Sequence, residues 1–187
     1  MIPQEFEYSS PVSLEAALDL LASGDGVKPL AGGMSLIPLM KLRLASPERL
    51  VDLRRVPGLN YIREENGVVR IGAMTTHYDI ESSALLRASC PLLAEAAANI
   101  GDVQVRNAGT IGGSVAHADP AADYPASLLA LEASVTLASK AGERTLSLED
   151  FLVDTMTTAL EPGEIVREVS VPVERSEIGR ASCRERV

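Results

Sequence analysis

The stretch Thr110-Ile-Gly-Gly-Ser-Val-Ala-His-Ala-Asp-Pro-Ala-Ala-Asp-Tyr124 carries the reading of this chain. Two adjacent glycines sit between Thr110 and Ser114, small residues follow, and Asp119 and Asp123 close the run. Far upstream stands a partner, Leu30-Ala-Gly-Gly-Met-Ser-Leu36. Glycine admits positive φ and removes the Cβ that would block a ligand. Successive N–H groups in such a turn converge into an anion nest, and a helix that follows adds free donors and the positive end of its dipole. Two such loops predict one phosphate-bearing ligand held between two lobes. A single Gly-Gly pair is weak evidence, because it commonly marks a tight turn or a helix cap. The chain has neither the Gly-x-Gly-x-x-Gly of a Rossmann fold nor a P-loop.

Composition narrows the field. The 187 residues are 46% hydrophobic, enough for one good core or two small lobes around a cleft. A formal charge of −9 argues against nucleic-acid backbone binding and against a polybasic membrane patch. No apolar run reaches the ~18 residues of a membrane span, and the acidic start lacks a signal-peptide core. Cys90 and Cys183 make neither a disulfide framework nor a metal set. These features predict a cytoplasmic protein. With aromatics at 3% and no tryptophan, a base-stacking platform is not expected.

Hydrophobic periodicity predicts a strand at 6–8, a helix over 13–22 capped by Ser13 and closed by Gly24, and a strand at 28–31. A helix over 36–44 and a strand at 50–53 follow, giving a small parallel βαβ lobe. Pro57-Gly58 reads as the end of that lobe. Asn66-Gly67 between two apolar runs predicts a hairpin with a type I′ turn. Helices are expected at 77–86 and 91–100, then the second glycine motif as a loop, then a helix from Pro125. A hairpin around 140–143, a helical turn at 149–153 and a long strand at 164–173 complete an antiparallel second lobe. The fold class is therefore α+β.

Individual polar residues are weighed by their local setting. Asp119 before Pro120 fits a helix N-cap. Asp123 fits a hydrogen-bond acceptor for a ligand's sugar or base. His77 and His117 read as structural histidines, Lys41 and Arg43 as a solvated helix face, and Cys90 as a small buried hydrophobe. There is no metal-ligand spacing and no nucleophile elbow.

Taken together, Ala31-Gly-Gly-x-Ser-Leu36 with Lys41-Leu-Arg43, Ile71-Gly-Ala-Met-Thr-Thr-His77, Gly101-Asp-Val-Gln-Val-Arg-Asn107 and Thr110-Ile-Gly-Gly-Ser-Val-Ala-His-Ala-Asp-Pro120 resemble the FAD-binding medium subunit of molybdenum hydroxylases, of the carbon monoxide and xanthine dehydrogenase type. The resemblance covers residues 1–174. It implies the two-lobed FAD-binding fold of the vanillyl-alcohol oxidase type, with lobes at 1–57 and 58–174. It assigns pyrophosphate contacts to Ala31, Gly32, Gly33, Met34 and Ser35 and to Thr110, Ile111, Gly112, Gly113 and Ser114. Asp123 is assigned to the adenosine part, Leu160 to a main-chain contact near the flavin ring, and Ile100 to its surroundings. Position 34 is often Gln or His in relatives and is Met here, a change that a backbone nest tolerates.

The resemblance further implies an oxidoreductase subunit with FAD in this chain. A large subunit would hold the molybdenum cofactor, a small one the [2Fe-2S] clusters, and a quinone or NAD would accept the electrons. It implies a dimer of heterotrimers, cytoplasmic or peripheral at the inner face of the membrane. Two other classes fit the same sequence: a FAD-free scaffold that keeps the fold, and a self-contained flavin reductase. Residues 175–187 lose all apolar periodicity, and 178–187 resemble a translated sequencing adaptor. That segment is expected to be non-native, standing where relatives continue into a C-terminal domain.

Overall fold

The computed structural model describes residues 2–173; the segment read as a non-native tail lies outside the described residues. The chain opens with β1 (Glu7–Ser9), α1 (Leu14–Leu21), β2 (Val27–Leu30), α2 (Leu36–Lys41) and β3 (Arg49–Asp52). The three strands form one parallel sheet in the order β1-β3-β2. Ser13 caps α1 as expected, its Oγ accepting the Ala16 N–H at 3.2 Å. Ala17, Leu18 and Leu21 turn one face of α1 inward, the spacing that an amphipathic helix requires. Gly24 plays no left-handed closing role, because Ala22 ends the helix in an ordinary right-handed conformation. The expected helix over 36–44 stops at Lys41, since Arg43 turns into the left-handed region at φ 62°.

The second part begins with β4 (Ile62–Glu65) and β5 (Val68–Gly72). Asn66 and Gly67 both take positive φ, 54° and 78°, which is what a type I′ hairpin demands. Then come α3 (His77–Ser82), α4 (Ala84–Ser89), α5 (Pro91–Asn99), α6 (Val103–Ala108), α7 (Ile111–His117) and α8 (Asp123–Ala130). The chain finishes with β6 (Ser134–Ser139), β7 (Gly142–Ser147), α9 (Leu148–Phe151), β8 (Leu152–Asp154), β9 (Thr157–Thr158) and β10 (Ile165–Pro172). An antiparallel five-stranded sheet runs β4-β5-β10-β6-β7, with β10 at its centre. The class is α+β, as expected.

Five local differences from the sequence reading have physical causes. The helix expected over 77–86 is two helices, broken at Ser83, whose extended backbone lets its Oγ cap Leu86 N–H at 3.2 Å. Asp119 does not cap a helix: it accepts the Ala121 N–H at 2.9 Å within a turn, and α8 starts later, at Asp123. The β8-β9 hairpin and α6 carry too few periodic residues to be read in advance. The second glycine motif, read as a loop, is the first turn of α7.

The main core lies between the five-stranded sheet and helices α3, α4, α5 and α8, with Ile71, Ile80, Leu86, Leu93, Tyr124, Leu128, Val169 and Phe151 fully buried and Cys90 among them. A second cluster joins the two sheets: Ala17, Leu18, Leu21, Val51 and Leu53 pack on Leu59, Met74, Ala138 and Ile165. The cleft between the sheets is thus framed by continuous apolar packing. No helix among the described residues is long and apolar enough to cross a membrane.

On the outer face of the five-stranded sheet, buried Glu168 accepts hydrogen bonds from Tyr61 Oη (2.6 Å), Ser170 Oγ (2.9 Å) and Arg70 Nη1 (2.5 Å). Burial pushes this carboxyl up, but the three donors outweigh it and hold its pKa below the usual range. Burial, followed by the bond to Glu168, pushes Tyr61 up to about 12. A carboxylate whose folded pKa lies below its unfolded one stabilises the fold above the unfolded value of about 4.3 and loses that contribution as pH falls. The stability that Glu168 contributes should therefore be lost as pH falls below about 4.3, and the acid limb of unfolding should flatten in Glu168→Gln. An unchanged acid limb in that variant, followed by circular dichroism, would remove Glu168 from the account.

Candidate functional site

A cleft of about 790 Å³ opens where the two sheets meet, within the ~300–1,000 Å³ of small-molecule and cofactor sites. Its first wall follows from chain topology. The loop after β2 leaves the carboxyl end of a parallel strand, the position where open α/β sheets bind ligands. Gly33 takes φ 74°, which bends this loop toward α2. Among the described residues, the N–H groups of Gly32, Gly33, Met34, Ser35 and Leu36 have no protein acceptor within hydrogen-bond distance. Five consecutive unsatisfied amides at one wall of a cleft form an anion-binding strip.

The second wall is built differently, although its motif also sets a Gly-Gly pair beside hydroxyl residues. Thr110 Oγ1 caps α7 by accepting the Gly113 N–H at 3.2 Å. Ile111 N–H donates to Thr75 O at 3.1 Å, and Gly112 N–H to Ala73 O at 3.0 Å. The amides of this pair are therefore engaged within the protein, and the nest expected here is absent. Its glycines serve close packing instead. A Cβ on Gly112 would stand 2.4 Å from the Ala73 Cβ. Gly113 faces the other lobe, where an added Cβ would lie 3.6 Å from the Ala31 Cβ. The two motifs nearly touch, since a Cβ on Gly32 would meet Ala108 O at 2.1 Å and the Gly109 Cα at 2.7 Å.

Of the residues singled out from the sequence, Ala31, Gly32, Gly33, Met34, Ser35, Thr110, Gly112, Gly113, Ser114, Asp123 and Leu160 all line the cleft, as does Ile100. Ile111 does not; its side chain is fully buried in the main core. Asp123 is exposed at the first position of α8. Lys41 and Arg43 are exposed and lie outside the lining, as a solvated face should. His117 lines the cleft. The sequence reading missed His77 as a cleft residue. Its ring is buried, 3.2 Å from Tyr124 Oη through Nδ1, and burial pulls its pKa down to about 4. Its partner lies 47 residues away, so no local pattern could have found the pair. Among the described residues no cluster of His, Cys, Asp or Glu has the makings of a metal site.

Residues 4–174 match the family described as the FAD binding domain in molybdopterin dehydrogenase. The chain belongs to this family. As an FAD-binding domain it is similar to the carbon monoxide dehydrogenase medium chain of Hydrogenophaga pseudoflava, at 50% identity over 92% of this chain and 60% of that protein. The glyceraldehyde dehydrogenase medium chain of Sulfolobus acidocaldarius is 44% identical over 92% of this chain and 62% of that protein. The solved structure of Hydrogenophaga pseudoflava carbon monoxide dehydrogenase lacking the Mo-pyranopterin moiety superposes with a TM-score of 0.92 at 49% identity, covering 94% of this chain and 62% of that one. The chain thus spans about three fifths of the length of these curated relatives.

The residues present fit FAD. The free amide strip suits a pyrophosphate. Gly113 leaves room between the lobes that a side chain would fill. Asp123 offers an acceptor for sugar hydroxyls, and Ile100, Met74 and Leu160 give an apolar stretch for a flat ring.

Proposed function

We propose that this chain is the flavin-holding part of a molybdenum hydroxylase. It would carry electrons from the [2Fe-2S] clusters of a small partner subunit, served by a large molybdenum-cofactor subunit, to a quinone or NAD acceptor. Bound FAD would supply the redox chemistry itself. The chain's own work is to hold and orient. The amides of Gly32 to Leu36, with the Ser35 and Ser114 hydroxyls, would bind the pyrophosphate from two sides. Ala31, Thr110, Gly112 and Gly113 would shape that contact by close backbone approach, with Ile111 anchoring the turn from the core. Asp123 would accept from the adenosine part, and the Leu160 main chain would border the flavin ring. We also infer a division into lobes at 1–57 and 58–174, each contributing one wall.

The observation that carries this reading is the strip of free amides opposite Gly113 in a cleft between two sheets. The names of the relatives, medium chains of dehydrogenases, support the multisubunit setting. Co-expression with the large and small subunits of a similar carbon monoxide dehydrogenase tests it. The expected result is a complex with FAD and this chain in equal amounts, whose flavin absorbance bleaches when the partner's iron–sulfur clusters are reduced. A flavin that stays oxidised beside reduced clusters would contradict the proposed route.

A further inference from the structure

We propose that His77 is a further ligand-contacting residue, donating its Nε2–H to a pyrophosphate oxygen of FAD where Gly109 crosses the first glycine loop; this rests on the FAD reading above. The argument starts at Tyr124. Its hydroxyl is fully buried, and its hydrogen-bond partner is His77 Nδ1 at 3.2 Å. A buried phenol with an imidazole nitrogen in reach donates to it, because its proton would otherwise go unsatisfied. That fixes the tautomer: Nδ1 accepts, so Nε2 carries the hydrogen of the neutral ring.

Nε2 has no protein partner among the described residues. Every fully enclosed side-chain nitrogen and oxygen among them has one. Nε2 is therefore open, and with the residue only 4% exposed and lining the cleft, the cleft is where it opens. A nearly buried donor without a partner is a cost that folded proteins rarely accept away from a binding site.

Its position selects the part of the ligand. A Cβ on Gly109 would lie 2.6 Å from Nε2, so the imidazole edge rests on the Gly109 backbone. Gly32 approaches the same Gly109 Cα from the other lobe. Nε2 and Gly32, the first residue of the free amide strip, therefore flank one crossing. Burial keeps the ring neutral at physiological pH, so it contributes a directed donor and no net charge.

His77→Asn and His77→Gln separate the two nitrogens. Asparagine places its amide near Nδ1 and keeps the bond to Tyr124, but has nothing at Nε2. Glutamine reaches the Nε2 position. In the full chain, His77→Asn should bind FAD and ADP about tenfold more weakly while riboflavin binding and the thermal midpoint stay unchanged. His77→Gln should restore FAD and ADP affinity to near the wild-type level. Independently, the Nε2 resonance of 15N-histidine-labelled wild-type chain should show the Nε2–H tautomer and shift on addition of ADP. Wild-type affinity in a folded His77→Asn, or an Nε2 resonance that ignores ADP, would overturn the proposal. A wild-type chain that binds neither FAD nor ADP would instead overturn the FAD reading on which it rests.

Discussion

Replacing Gly112 by alanine is expected to destabilise the fold by about 3 kcal/mol. Helix propensity argues the opposite sign: Gly112 lies inside α7, where alanine would gain about 1 kcal/mol over glycine. Packing decides. The new methyl would stand 2.4 Å from the Ala73 Cβ and 2.8 Å from the Ala73 Cα and O, and none of these is the end of a flexible side chain. Nor can the helix retreat cheaply, since Gly112 N–H is bonded to Ala73 O at 3.0 Å and Ala73 N–H to Arg167 O at 2.9 Å on the central strand. Urea unfolding reads the effect directly. A stability equal to or above wild type would mean that α7 does not seat on Ala73 as described.

The other large effect is on the ligand. Gly32→Ala should lower FAD affinity by at least a hundredfold, about 2.7 kcal/mol. The alanine Cβ would fall 2.1 Å from Ala108 O and 2.7 Å from the Ala108 carbonyl carbon and Gly109 Cα. These are backbone atoms at the end of α6, so the first loop must lift away from the second lobe and carry its free amides with it. Global stability should change less than in Gly112→Ala, because residues 31–35 contribute little to the main core. Isothermal titration with FAD and ADP measures the loss. Equal affinities for variant and wild type would show that the crossing of Gly32 over Gly109 does not set the site.

These two glycines also show what the sequence could and could not reveal. That both Gly-Gly pairs belong to one cleft was legible, because each stands beside hydroxyl residues. Their division of labour was not. Gly-Gly is a poor helix former, so residues 110–117 read as a loop. The contact of Gly112 with Ala73, 39 positions away by numbering, is what makes a helix there possible. The same logic separates the other elements. The Asn66-Gly67 turn and the Ser13 cap were readable because their chemistry is local. The break at Ser83 was not, because the apolar spacing runs through it and only the serine's backbone angles end α3. His77 was legible as a buried histidine, but its opening into the cleft depends on Tyr124 and Gly109, which periodicity cannot bring together.

The central claim is that the two glycine motifs form a single FAD site. Its most direct measurement is a titration of the purified wild-type chain with FAD, following flavin absorbance and fluorescence, with Gly32→Ala alongside. The expected result is saturable binding of one FAD per chain, competed by ADP and lost in the variant. A wild-type chain that produces no saturable change in the flavin signal would contradict the account.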